Sequence, residues 1–135
     1  MTEAKNTKRY DLEERTFLFA RAVIAFTNIV PKTLANIEMI KQVVRSSGSI
    51  GANYIEANES LGKKDFALRI RICRKEAKET QYWLRLIESK EEPDKKEQLE
   101  LIQESTELNE DFRFHCRKGK IVYYFVFRYC LGFSA

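Results

Sequence analysis

The sequence predicts an all-α protein, an antiparallel up-down-up-down four-helix bundle, and three observations lead there. Apolar residues recur at helical spacing along most of the chain. With only 5 Gly and 2 Pro among 135 residues, and charged residues at 33%, the composition suits long helices better than sheet. The strongest breakers stand at Pro31, Gly62 and Pro93, so the connections between helices are short, as consecutive antiparallel neighbours require. At 15.9 kDa the chain is one domain, large enough to bury a core without disulfides or metals.

Residues 1–10 are polar and include Lys5, Lys8 and Arg9, which predicts a flexible arm. Asp11, with Glu14 three residues on, has the pattern of a capping box and opens the first helix. Leu12, Thr16, Phe19, Val23, Phe26 and Val30 give that helix its core face, joined on one side by Phe17, Ala20 and Ile24, and Pro31 ends it. Thr33 is the expected N-cap of the second helix, whose Leu34, Ile37, Ile40, Val43 and Val44 lead into a row of small residues, Ser46, Ser47, Gly48, Ser49, Gly51 and Ala52. Glycine-rich loops before helices bind phosphate through their N–H groups. This row, however, lacks the P-loop spacing and its Lys-Ser/Thr, and no strand-like run precedes it. The favoured reading is a close-packing seam within a continuous helix that runs on through Tyr54 and Ile55 to about Ser60. Gly62 is expected in the left-handed conformation at the next turn.

The third helix, from about Lys63 to near Ser89, sorts into three faces. Phe66, Ile70, Cys73, Ala77, Thr80, Leu84 and Ile87 share the quadrant a bundle core needs. Leu68, Ile72, Trp83 and Leu86 form a second apolar group on the flank, for which another subunit is the simplest neighbour. Lys64, Arg71, Arg74, Lys75, Lys78, Tyr82 and Arg85 occupy the remaining arc. Glu92-Pro93-Asp94 marks the following break, with Pro in a helix first turn. Leu99, Ile102, Thr106 and Leu108 carry the fourth helix to Asp111, which makes residues 11–111 the bundle.

Residues 112–135 read differently, with eight of the sixteen aromatics and no acidic residue. Ile121 to Phe127 is β-branched and aromatic without a helical period. An altered reading frame and a genuine extension that covers an apolar patch or engages a partner both fit this atypical tail. Either predicts that a chain ended after Asp111 keeps its helices and its assembly.

The run R-S-x-x-S-I-x-A-N-x-x-E-A at Arg45, Ser46, Ser49, Ile50, Ala52, Asn53, Glu56 and Ala57 resembles the four-helix-bundle proteins encoded in intervening sequences of 23S ribosomal RNA genes. The resemblance extends through Lys63-Lys64-Asp65-Phe66, the K-E-A-x-E-T-x-Y-W-L from Lys75 to Leu84, Asp11 to Phe17, and Pro31-Lys32-Thr33. It covers roughly residues 8 to 110. It implies an antiparallel bundle assembled as a homopentamer. The related accessory variability determinant of diversity-generating retroelements adds nucleic acid, and a reverse transcriptase if the gene lies in such an element, as implied partners.

Net charge is +4 and the pI near 9.0, but the distribution carries more than the total. Leu61 to Lys90 holds nine Lys/Arg against four Asp/Glu, a local +5, whereas Glu91 to Asp111 holds two against nine, a local −7. Arg71, Arg74, Lys75, Lys78 and Arg85 recur at three- and four-residue steps, so they can meet successive phosphates along one helix face. The competing reading is a solvated face, or one paired with the acidic fourth helix of a neighbouring copy.

Chemistry beyond binding finds little to build on. The single His115 lies beside Cys116 without further ligands, too few for a zinc site. No Ser/His/Asp set is present, nor a cysteine nucleophile with a supporting base. Glu56, Glu76 and Glu79 lie on or beside faces that read as buried, but the Glu-x-x-His pairs of a di-iron bundle are missing. A polar network in which Glu56 and Glu76 meet Arg45, Asn53 or Arg74 is expected instead. The protein is thus expected to be non-enzymatic, without metal or cofactor. No signal-peptide pattern or membrane-length apolar run is present, and cytoplasm is the expected location.

Overall fold

The computed structural model describes residues 11–115. The arm at 1–10 and the strand-prone stretch Ile121 to Phe127 lie outside the described residues. Four helices follow one another, α1 Leu12–Ile29, α2 Leu34–Asn58, α3 Lys63–Leu86 and α4 Glu92–His115. Each packs on its sequence neighbour, and α1 meets α4 in the least extensive of the four side-by-side contacts to close the bundle. No described helix is long and apolar enough to cross a membrane.

The helix starts follow the sequence closely. Asp11 caps α1, its carboxylate accepting from the N–H of Glu13 at 3.0 Å and of Glu14 at 3.3 Å, and Thr33 caps α2 by accepting from Asn36 N–H at 3.1 Å. The core face of α1 is the expected one, with Leu12, Thr16, Phe19, Val23, Phe26 and Val30 all buried. Phe17 and Ile24 remain exposed beside it. On α3, Ile70, Cys73, Ala77, Thr80, Leu84 and Ile87 are buried as the periodicity predicts, and Phe66 packs against them.

Five details differ from the sequence reading. Gly62 is not left-handed. It stands at the N-cap of α3 with φ −142° and ψ 160°, extended backbone that any residue adopts, because α2 already ends at Asn58 with Glu59 as its cap. Leu34 and Ile37 face outward, while Asn36 is buried. Asn36 clamps one end of the bundle: its Nδ2 donates to Pro31 O at 2.9 Å and Glu88 O at 3.0 Å, and its Oδ1 accepts from Glu88 N–H at 3.0 Å. At the same end, α3 stops at Leu86 rather than near Ser89. Gln98 takes over its last carbonyls there, donating to Leu84 O at 2.6 Å and Ile87 O at 2.8 Å. In α4 the inward residues are Leu101, Ser105, Leu108 and Phe112, whereas Leu99 is exposed. Polar Ser105 can lie inside because its hydroxyl donates to Ile102 O at 2.7 Å, and such residues blur the apolar period. Phe112, placed in the tail by sequence, is fully buried against Tyr54 with ring centroids 5.8 Å apart.

The small-residue row is a seam within one unbroken helix. Ser46 Oγ accepts from the buried Thr80 hydroxyl of α3 at 2.8 Å, and Cys73 Sγ donates to Ile50 O at 3.4 Å. On the α1 side, a Cβ at Gly51 would stand 3.0 Å from Thr16 Oγ1 and 3.4 Å from Thr16 Cβ. Thr16 cannot swing aside without losing its hydrogen bond to Leu12 O at 2.7 Å. At Gly48 a Cβ would meet nothing within 4 Å. Gly48→Ala is therefore expected to raise stability by about 0.5–1 kcal/mol through helix propensity alone. Gly51→Ala should lose that gain by forcing α1 and α2 apart. Urea midpoints of the two variants check this, and equal gains would show that the seam does not require glycine at position 51.

Candidate nucleic-acid interface

Helix α3 presents its basic residues outward because its buried stripe occupies the opposite side. Arg71, Lys75, Lys78 and Arg85 are exposed, and Arg74 is half-buried beside α4, where its carbonyl accepts from Asn109 Nδ2 at 3.0 Å. Ion pairs within 4.0 Å among the described residues use Arg15, Lys41, Arg69, Lys95 and Arg113. None uses the five basic residues of this face. The positions 71, 75, 78 and 85 follow the outer line of the helix over roughly 21 Å at 1.5 Å per residue. Cations spread in this way face solvent and can exchange their water for phosphate oxygens.

The apolar flank lies beside the basic line. Leu68 is 55% and Leu86 45% exposed, and Ile72 and Trp83 are half-buried. Trp83 leans on the core, and its indole N–H donates to Glu79 Oε1 at 3.3 Å.

The four polar residues expected in one buried network fall instead into two groups at the margin of the core, Asn53 and Glu56 joined through Arg69, and Glu76 within electrostatic reach of Arg45. Glu56 is exposed and pairs with Arg69 at 2.8 Å. Arg69 also donates to Asn53 Oδ1 at 3.2 Å, while Asn53 Nδ2 donates to Ser49 O at 2.8 Å. Arg45 is exposed. Glu76 is half-buried, and burial first, then the charge of Glu79, raises its pKa, with Lys75 and Arg45 drawing it back. The α2–α3 interface has room for hydroxyls and a thiol, not carboxylates, which is why these charges sit at its margin.

A fully buried carboxylate lies between α1 and α4, held by a half-buried arginine. Arg15 Nε donates to Glu104 Oε1 at 2.7 Å and its Nη2 to Glu104 Oε2 at 3.2 Å, while Nη1 donates to Asp111 Oδ2. The Asp111 side chain is 0% exposed. Burial pushes its carboxyl up to about 6, against the pull of the Arg15 charge and hydrogen bond, with Glu104 and Glu110 adding to the rise. Glu104 and Asp111 are seven residues apart on the inner edge of α4, beside Leu101, Leu108 and Phe112. That was the available signal: two acids riding along an apolar face, facing one arginine on the core edge of α1. Two other features were not read from sequence. Asp11, Glu14, Glu100 and Glu104, with Arg15 paired to the last of them, line a groove of about 490 Å³ together with Leu18, Phe19, Ala22 and Leu101. His115 lines a cleft of about 510 Å³ at the α2–α3 turn, and burial lowers its pKa. No group of three or more His, Cys, Asp or Glu among the described residues is placed to hold a metal ion.

Comparison with known proteins agrees with this architecture. Among curated proteins nothing matches. A crystal structure of a protein with unknown function from the S23 ribosomal protein family of Bacteroides thetaiotaomicron VPI-5482 is similar to this chain at 28% identity and a TM-score of 0.64, over 78% of this chain and 98% of that one. The model of the 23S rRNA-intervening sequence protein family matches residues 8–112. With its four helices, its capped starts and its α2 seam inside that span, the chain belongs to the 23S rRNA-intervening sequence protein family.

Proposed function

We propose that the protein is a non-enzymatic accessory factor that binds nucleic acid through the outward face of α3, with Arg71, Arg74, Lys75, Lys78 and Arg85 contacting phosphates. The observation that carries this reading is a line of exposed cations with no carboxylate within 4.0 Å among the described residues. A merely solvated helix face commonly intersperses both signs of charge in i,i+4 pairs. The family's name makes 23S ribosomal RNA, or its gene, the first nucleic acid to try. The resemblance supports a homopentamer in the cytoplasm, in which Leu68, Ile72, Trp83 and Leu86 meet a neighbouring subunit. Five copies of a modest basic face would then add their contacts by multivalency. If the gene lies in a retroelement, a reverse transcriptase is the protein to which such a factor would deliver nucleic acid.

A second reading has its own observation. The acidic groove between α1 and α4 complements the basic α3 face, so copies of this chain could pair through charge alone, in a protein-interaction module without nucleic acid. Replacing Arg71, Lys75 and Lys78 with Glu distinguishes the two. Loss of binding with unchanged oligomer mass, and a salt slope smaller by about 2–3, is the expected outcome. Loss of the oligomer would favour the second reading.

A further inference from the structure

The exposed residues of the α3 line are Arg71, Lys75, Lys78, Tyr82 and Arg85, at alternating steps of four and three. An aromatic ring therefore stands between two cations, Lys78 one turn before it and Arg85 one turn after, at about 5–6 Å between Cβ atoms. Tyr82 is 54% exposed, and its ring meets the Trp83 ring edge-on at 5.0 Å with an interplanar angle of 69°. Trp83 is itself fixed by the core and by its hydrogen bond to Glu79. The edge-on arrangement steadies the ring and leaves at least one of its faces uncovered by Trp83.

Charge alone favours a duplex, whose phosphates are the more densely spaced. A ring on the same line has nothing to stack on in a duplex, because the bases are already stacked inside it. An unpaired strand offers both phosphates for the cations and a bare base for the ring. We propose that Tyr82 is a base-stacking platform within the basic face, so that α3 takes an unpaired nucleic-acid strand in preference to a duplex. This inference rests on the nucleic-acid reading above and narrows it to loops, ends or single strands, read by stacking and charge rather than by base edges.

The test uses the full chain with labelled oligo(U), oligo(dT) and a duplex of equal length, by fluorescence anisotropy at fixed salt. Wild type should bind both single strands more tightly than the duplex; a preference between the two would assign the ribose or deoxyribose source. Tyr82→Ala should weaken single-strand binding roughly 5- to 100-fold with duplex binding changed less than about twofold. Tyr82→Phe, which keeps the ring, should restore it. Light scattering should give one mass for all three proteins. Equal weakening on strand and duplex, no effect on the strand, or a changed mass would each overturn the platform while leaving phosphate binding by α3 standing. Absence of binding to any probe, even at low salt, would overturn both.

Discussion

Replacing Arg15 with alanine is expected to destabilise the protein by about 3–5 kcal/mol at pH 8, because the buried Asp111 carboxyl loses the cation and hydrogen bond that hold its pKa down and favour its charged form. Arg15 ties α1 to α4, the least extensive of the four side-by-side helix contacts, gripping Glu104 and Asp111 from α1. The cost should shrink at pH 5, where a carboxyl raised to about 6 is mostly protonated. Adding Asp111→Asn to Arg15→Ala should recover most of the loss, since an amide carries no buried charge. Chemical denaturation of the single and double variants at pH 5 and pH 8 measures all of this. An Arg15→Ala cost below about 1 kcal/mol at pH 8 would mean that Asp111 finds other compensation.

The same carboxyl predicts a pH dependence whose sign is opposite to that of most paired acids. Its folded pKa of about 6 lies above the ordinary 3.8, so protonation favours the folded state. The contribution of Asp111 is fully present below about pH 4 and is lost as pH rises through 6. At 1.36 kcal/mol per pKa unit the change is about 2–3 kcal/mol. Asp111→Asn should flatten that part of the stability profile and cost little at pH 8, because the hydrogen bond to Arg15 survives in weaker form while the burial penalty disappears. A variant that kept the wild-type slope would assign the titration to other groups, among which Glu76 is raised in the same direction.

Phe112→Ala is expected to cost about 3–5 kcal/mol, the range for a large aromatic removed from a closed core. Phe112 is 0% exposed and tilts against the Tyr54 ring at 54°. A chain ended after Asp111 should accordingly melt well below one ended after His115, although the sequence pattern places both cuts outside the bundle. Thermal melts of the two truncations, followed by circular dichroism, decide it. Equal melting temperatures would show that Phe112 is not needed and that the bundle does end at Asp111.

Much of the fold was legible along the chain. Asp11 and Thr33 cap from side chains within three residues of the N–H groups they serve, so their role needs no distant partner. The inward faces of α1 and α3 were legible because most of their buried positions are apolar and the polar ones are short threonines that bond to their own helix, so periodicity suffices. The outward line of cations on α3 follows from the same period.

What the sequence left undecided depends on partners far apart in number. Asn36 is buried because it bonds to Glu88, and Gln98 is half-buried where it bonds to the end of α3; neither has an apolar signature, and both shift the apparent helix face and the helix end. Arg15 reads as one surface cation among many until α4 brings Glu104 and Asp111 to it across 89 and 96 residues of chain. Glu56, by contrast, lies on a face that reads as buried, yet it is exposed and pairs with Arg69 of α3 at the margin of the core. Local capping and hydrophobic period thus determined the class, the helix order and the exposed basic line. Which polar groups are buried, and with whom, was decided by tertiary structure, because burying a polar or charged group is tolerable only where a second element supplies its partner.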